Sequence, residues 1–318
     1  STLLNTHKSI DSVPYNGLSE AFVERLYINS SGAFRHLSIN QASLYLYAKG
    51  QNQGKKPRTG GSVKIGFGIE DININECITE TSEKLISHLE YQPIKTDRYL
   101  VCFSPEAFLD LIGAFSSIFN ARSILDGTSL TNVDNIGEQI AVPFLSISDE
   151  PLHIENIASF NFDGEGTPKT NVQLINNGKL ENLLHSEATA RKFNVSPTGH
   201  ARLGAKASVS PEWFVIKNSE NSVNENLSHK DLSLKYVLID SLSALHAGVK
   251  SSQGSFSLPF DGWLIQNGEK KSIEAATVAG DIRQLLKDIL HVEHDQFNTT
   301  SGVSPHIWVK NLSITGEA

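Results

Sequence analysis

An α+β fold, with an N-terminal sheet-and-helix portion over residues 1–136 and a larger, β-rich portion over 137–318, follows from three features of this 318-residue chain. Residues 1–98 alternate apolar and polar side chains in the manner of half-exposed strands. Asn177-Gly178 and Asn267-Gly268 each separate apolar runs, and Asn-Gly is the pair that tolerates positive φ at both central positions of a tight hairpin. Helical spacing is confined to three stretches.

The strand elements are read in order. Ala42-Ser43-Leu44-Tyr45-Leu46-Tyr47-Ala48 is a strand that breaks at Lys49-Gly50, and residues 51–61, polar and rich in breakers, read as a solvated loop holding the one basic cluster. A strand resumes over residues 61–68, whose glycines lack the spacing and acidic partner of a dinucleotide site. Tyr99-Leu100-Val101-Cys102-Phe103 reads as a buried strand, and residues 236–240 and 307–314 as further strands. The Asn/Ser-rich residues 218–230 read as a loop.

The helices follow from spacing and caps. Between Asn75 and Glu90, Cys77, Ile78, Leu85, Ile86 and Leu89 recur at three- and four-residue intervals. Ser104-Pro105 places a cap and a first-turn proline at the head of a helix running through Phe115. Asp281, with Gln284 three residues on, opens a third helix whose stripe is Ile282, Leu285, Leu286, Ile289 and Leu290.

Composition excludes whole classes of function. With 27 Lys+Arg against 35 Asp+Glu the net charge is −8, which repels a phosphate backbone, so direct nucleic-acid binding is not expected. No apolar run is long enough for a membrane helix. Two cysteines, Cys77 and Cys102, and a start without the pattern of a secretory signal point to a reducing, cytoplasmic setting.

No zinc-type CxxC pair, HExxH, GxSxG or phosphate loop occurs. The densest set of metal-ligand types is His291-Val292-Glu293-His294-Asp295, which reads first as a histidine cap just past a helix end and second as a metal pair, His291 and His294, without a third ligand. Asp163 and Glu165 lie in the glycine-rich run Phe162-Asp163-Gly164-Glu165-Gly166-Thr167-Pro168, and Thr198, Gly199 and His200 in a second turn; these five are the candidates for lining a cleft.

Those two runs, together with Leu174-Ile175-Asn176-Asn177-Gly178-Lys179-Leu180, Ala188-Thr189-Ala190-Arg191-Lys192 and Glu274-Ala275-Ala276-Thr277-Val278-Ala279-Gly280-Asp281, resemble the TldD/PmbA proteins, described as modulators of DNA gyrase and as the TldD/TldE peptidase. The resemblance spans about residues 20–318 and implies a metalloprotease fold. It also implies zinc in the TldD-type subunit, held by both histidines of a helical HExxxH and by a cysteine near the C-terminus. The corresponding positions here are Pro105, Glu106 and Asp110, with Ser301 at the cysteine, so only the glutamate is retained. That pattern resembles the PmbA (TldE) branch. It implies no zinc or other cofactor in this chain, a TldD-like HExxxH subunit or a second copy of the chain as partner, a dimer acting on peptide, and an N-terminal portion shortened relative to the family. The alternatives are an active peptidase with relocated ligands, drawn from Glu106, Asp110, His291 and His294, and a non-proteolytic scaffold dimer.

Overall fold

The computed structural model describes residues 2–204, 208–219 and 226–316. It opens with β1 (Ile10–Ile28), β2 (Phe34–Gly50), β3 (Arg58–Gly66), α1 (Ile74–Ser87), β4 (Tyr91–Gln92), β5 (Asp97–Phe103), α2 (Pro105–Ala114) and α3 (Ala121–Leu125). The middle of the chain forms β6 (Leu145–Asp149), β7 (Val172–Asn176), β8 (Lys179–Leu180), α4 (Glu187–Phe193), β9 (Ala201–Arg202), β10 (Ser208–Val209) and β11 (Phe214–Asn218). Then come β12 (Tyr236–Leu242), α5 (Leu245–Gly248), β13 (Val249–Lys250), β14 (Ser255–Gln266), β15 (Glu269–Ile273), β16 (Ala276–Asp281), α6 (Ile282–Lys287), β17 (Ile289–Val292), β18 (Phe297–Asn298), β19 (Gly302–Ser304) and β20 (Ile307–Gly316).

The α+β class holds. β1 and β2 form a long antiparallel ribbon, in register from Ile28↔Phe34 to Tyr15↔Tyr47, with two register shifts between there and Ile10↔Gly50. β3 joins only the inner half, where α1 lays Cys77 and Leu85 on Ala42, Leu44 and Ala48. Burial of each such aliphatic side chain is worth about 1.5–3 kcal/mol. Beyond the reach of α1 the same ribbon leaves Phe22, Leu26, Ile28 and Phe34 more than half exposed. The ribbon tip nevertheless touches the rest of the molecule, because the Arg25 guanidinium lies 3.9 Å above the Phe160 ring. Gly166 is required beneath it: its φ is +76°, and a Cβ there would meet the Tyr27 ring.

The second sheet runs β12-β5-β20-β16-β14-β15-β4, and β12 also pairs with β14, which closes β12, β5, β20, β16 and β14 into a barrel. A third sheet, β18-β19-β11-β6-β7-β8, shares with α2 and the barrel strands the largest apolar cluster. Since β5 lies between β12 and β20, strands from either side of position 136 share one sheet. Both Asn-Gly turns form as expected, with Asn177, Gly178, Asn267 and Gly268 all at positive φ.

Three details correct the sequence reading. β3 begins at Arg58 rather than Gly61, because the Arg58 guanidinium stacks on the Tyr91 ring at 4.4 Å and donates to the Ile273 carbonyl at 2.6 Å. The basic cluster is partly committed to this contact: Lys55 Nζ donates to the Tyr91 carbonyl at 2.8 Å. The third helix ends at Lys287, and Ile289 and Leu290 belong to β17 instead of its buried stripe. Of the expected 218–230 loop, Asn218 closes β11 and residues 220–225 lie outside the described residues.

Candidate functional site

Helix α2 starts as its residues dictate: Ser104 Oγ accepts the Ala107 amide proton at 3.1 Å and donates to the Asp240 carbonyl at 2.6 Å, and Pro105 occupies the first turn. Phe108, Leu111 and Ile112 bury the opposite side of the helix in the main core. Pro105 is itself buried, and Glu106 projects into a cavity of about 880 Å³ between α1, β3, β12 and residues 298–300. In that cavity Lys84 Nζ lies 3.0 Å from Asp240 and 3.9 Å from Glu106. Burial pulls the Lys84 ammonium down, but the two carboxylates outweigh it and leave the pKa raised.

Asp110 faces a smaller depression together with Ser301. Burial, reinforced by the charge of Glu106, pushes the Asp110 carboxyl up to about 6. The structure thus brings Asp110 and Ser301 to one depression and places Glu106 in the neighbouring cavity. Their chemistry does not fit zinc: proline supplies no ligand atom, Ser301 offers a neutral hydroxyl, Glu106 is largely exposed, and neither imidazole nor thiolate is present.

The second set of candidates, Asp163, Glu165, Thr198, Gly199 and His200, converges around the start of α4. Asp163 Oδ1 accepts the amides of Glu165 and Thr167, and Oδ2 that of Ala201, all at 2.9 Å. Glu165 Oε2 accepts the Glu187 amide in the first turn of α4. The Thr198 hydroxyl lies 3.1 Å from the His185 carbonyl and 2.9 Å from His200 Nδ1, so it links the two turns. His200 Nε2 then lies 3.4 Å from Asp149 Oδ2, with both side chains fully buried. These side chains are engaged with main chain and with one another. A cavity of about 580 Å³ between this region and the ribbon tip is lined by Asp163, Lys169 and Arg202.

The histidine cap expected at His291 and His294 is replaced by different geometry. The helix stops at Lys287, and His291 sits in β17, paired with Trp308 of β20. Glu293, which precedes His294, belongs instead to a cluster absent from the sequence reading. Its Oε1 accepts the His229 amide at 2.7 Å and the Trp308 indole N–H at 2.9 Å, and its Oε2 lies 2.6 Å from His229 Nδ1. Burial alone raises this carboxyl, and the bonds from His229 and Trp308 reverse the shift and hold its pKa below the usual value. The His306 ring stacks on His229 at 3.7 Å, and burial, helped by the charge on His229, pushes its pKa down to about 4. The three candidate ligands converge from positions 229, 293 and 306, and no local spacing signals that.

Comparison with known proteins agrees with the resemblance. A family model described as PmbA/TldA metallopeptidase C-terminal domain matches residues 96–316, and one described as the central domain matches residues 1–89. Among curated relatives, a metalloprotease PmbA homolog of Haemophilus influenzae is 25% identical over 74% of this chain and 50% of its own length. A metalloprotease of Methanothermobacter thermautotrophicus is 27% identical over 97% of this chain and 71% of its own. The chain therefore spans between half and about seven-tenths of these two relatives. A Thermotoga maritima crystal structure, named for a proposed modulation of DNA gyrase, superposes with a TM-score of 0.88 at 28% identity, covering 98% of this chain and 71% of that one. TldE of Thermococcus kodakarensis shares the fold, with a TM-score of 0.80 at 21% identity, over 94% of this chain and 68% of that one. With ordered motifs, architecture and family models in agreement, the chain belongs to the PmbA/TldD metallopeptidase family.

Proposed function

We propose that this chain is the non-catalytic, PmbA-type subunit of a TldD/TldE-type metalloprotease, and that it shapes a chamber for unfolded or extended peptides while an HExxxH-bearing subunit supplies the zinc. The observation that carries this reading is the donor set along α2: Pro105, Glu106, Asp110 and the neighbouring Ser301 offer neither imidazole nor thiolate where the resemblance implies two histidines and a cysteine. The α2 position holds no zinc on this reading.

The cavity beside Glu106 suits an extended chain. Within the described residues β3 pairs only with β2, and its residues 59–64 line that cavity. A free strand edge binds peptide main chain through ladder hydrogen bonds with little demand on sequence. The net charge of −8 argues against DNA as the ligand. Two unpaired, buried cysteines suit a cytoplasmic setting. No helix among the described residues is long and apolar enough to cross a membrane.

The test is co-elution and hydrolysis with a TldD-type HExxxH subunit and an unstructured peptide. The reading predicts a stable complex whose hydrolysis rate exceeds that of the HExxxH subunit alone. Absence of a complex, together with self-association of this chain, would favour the scaffold dimer.

A further inference from the structure

His229, Glu293 and His306 lie outside every position that the resemblance implicates, and the ligand atoms they offer all fall within 4.8 Å of one another. Separate stretches of chain hold them in place. The Glu293 amide donates to the His306 carbonyl at 3.0 Å, and the Tyr236 hydroxyl donates to the His229 carbonyl at 2.7 Å. The two donors on Glu293 Oε1 fix that carboxylate and leave Oε2 turned toward His229 Nδ1. His306 is about nine-tenths buried, and its Nδ1 has no hydrogen-bond partner. An unsatisfied buried nitrogen is destabilising, and a ligand on its lone pair removes that cost.

We propose that His229, Glu293 and His306 form a binding site for a first-row divalent transition-metal ion of the zinc or cobalt type. Two imidazoles and one carboxylate are a donor set that such ions take, with a further position left for water. The ion takes the place of the hydrogen between His229 Nδ1 and Glu293 Oε2. The His306 ring now lies parallel to His229, within 9°, so its nitrogen reaches the ion by turning out of the stack. The Trp308 indole and the His229 amide remain as the outer hydrogen bonds that orient the carboxylate. Phe297 stands edge-on to both imidazoles.

Position adds interest to the site. Ile307, Phe103 and Ile239 are neighbours across three strands, so the next row holds His306, Ser104 and Asp240, at the strand ends that lead into α2. Asn298, adjacent to Phe297, lines the same cavity as Glu106 and Asp240. The inference is independent of the proposed function, which concerns the α2 positions.

The test is titration of cobalt(II) into the metal-free chain, read by visible absorption, followed by zinc competition. The site predicts saturation at one equivalent with ligand-field bands of a low-coordinate centre that zinc displaces. It also predicts binding weaker by at least about 100-fold in His306→Gln and in Glu293→Gln, and unchanged in His294→Gln and in the pair Glu106→Gln with Asp110→Asn. A wild-type chain that takes up no cobalt at micromolar concentration overturns the site, whatever the variants do. Binding that survives His306→Gln overturns it too, as does binding lost in the α2 pair, which would also count against the proposed function. Hydrolysis by the chain alone, with cobalt uptake still dependent on His306, would overturn the proposed function and leave the site standing.

Discussion

The two polar clusters near the head of α2 differ in how they are built. Glu106, Asp110 and Ser301 come from one helix and one loop, reach solvent, and carry a donor set unsuited to zinc. His229, Glu293 and His306 come from three distant stretches, are mostly buried, and are tied together by an indole, a main-chain amide and a ring stack. The comparison teaches that local regularity and capacity for metal chemistry are separate properties: α2 is a capped, well-packed helix whose Pro105, Glu106 and Asp110 offer no imidazole, whereas the donors at 229, 293 and 306 meet with no helix or motif to announce them.

Mutation sharpens the contrast between an embedded cluster and an exposed one. The largest effect is expected at Trp308→Ala, which removes a fully buried indole and one donor to Glu293, and should destabilise the fold by about 3–5 kcal/mol in denaturant titration. Trp308→Phe separates the two contributions, losing the hydrogen bond with most of the packing retained. Next is Asp163→Asn, which turns an amide NH₂ toward one of three main-chain donors and should cost about 2–3 kcal/mol. A loss under about 0.5 kcal/mol there would mean that the turn is held by its glycines alone.

Smaller effects belong to α2. Asp110 ionises with an ordinary value of 3.8 unfolded and about 6 folded, so the folded state keeps its proton longer. Its contribution is intact below about pH 4 and falls away as pH rises through 6. Asp110→Asn should flatten that part of the stability profile and raise stability at pH 7–8 by about 1 kcal/mol after allowance for solvent screening. His185 titrates in the opposite sense: burial lowers its pKa to about 4, so stability falls as pH drops from 6.5 toward 4. Glu106→Gln should change stability by less than about 0.5 kcal/mol, since among the described residues its one ion pair, to Lys84, is 3.9 Å long and the Glu106 side chain is more than half exposed.

Local features were the legible part of the fold. The Ser104-Pro105 cap, the two Asn-Gly hairpins and the apolar face of α1 are set by neighbours a few residues away, and each forms where its pattern places it. The end of α6 was illegible because Ile289 and Leu290 continue a helical spacing while pairing with β20 turns them into a strand. The start of β3 depended on Tyr91, some thirty residues away, which holds Arg58 in line. Site residues follow the same rule. Asp163 and Glu165 stood out by their glycine-rich setting, whereas Glu293 was visible only as part of a histidine-rich run, because its partners lie at 229 and 306 and are assembled by strand pairing.

The central proposal, that α2 carries no hydrolytic centre, is tested most directly by incubating the purified, zinc-supplemented chain with an unstructured fluorogenic peptide beside its Glu106→Gln variant. The account predicts no turnover above background in either. Turnover by the wild-type chain that Glu106→Gln abolishes would contradict it.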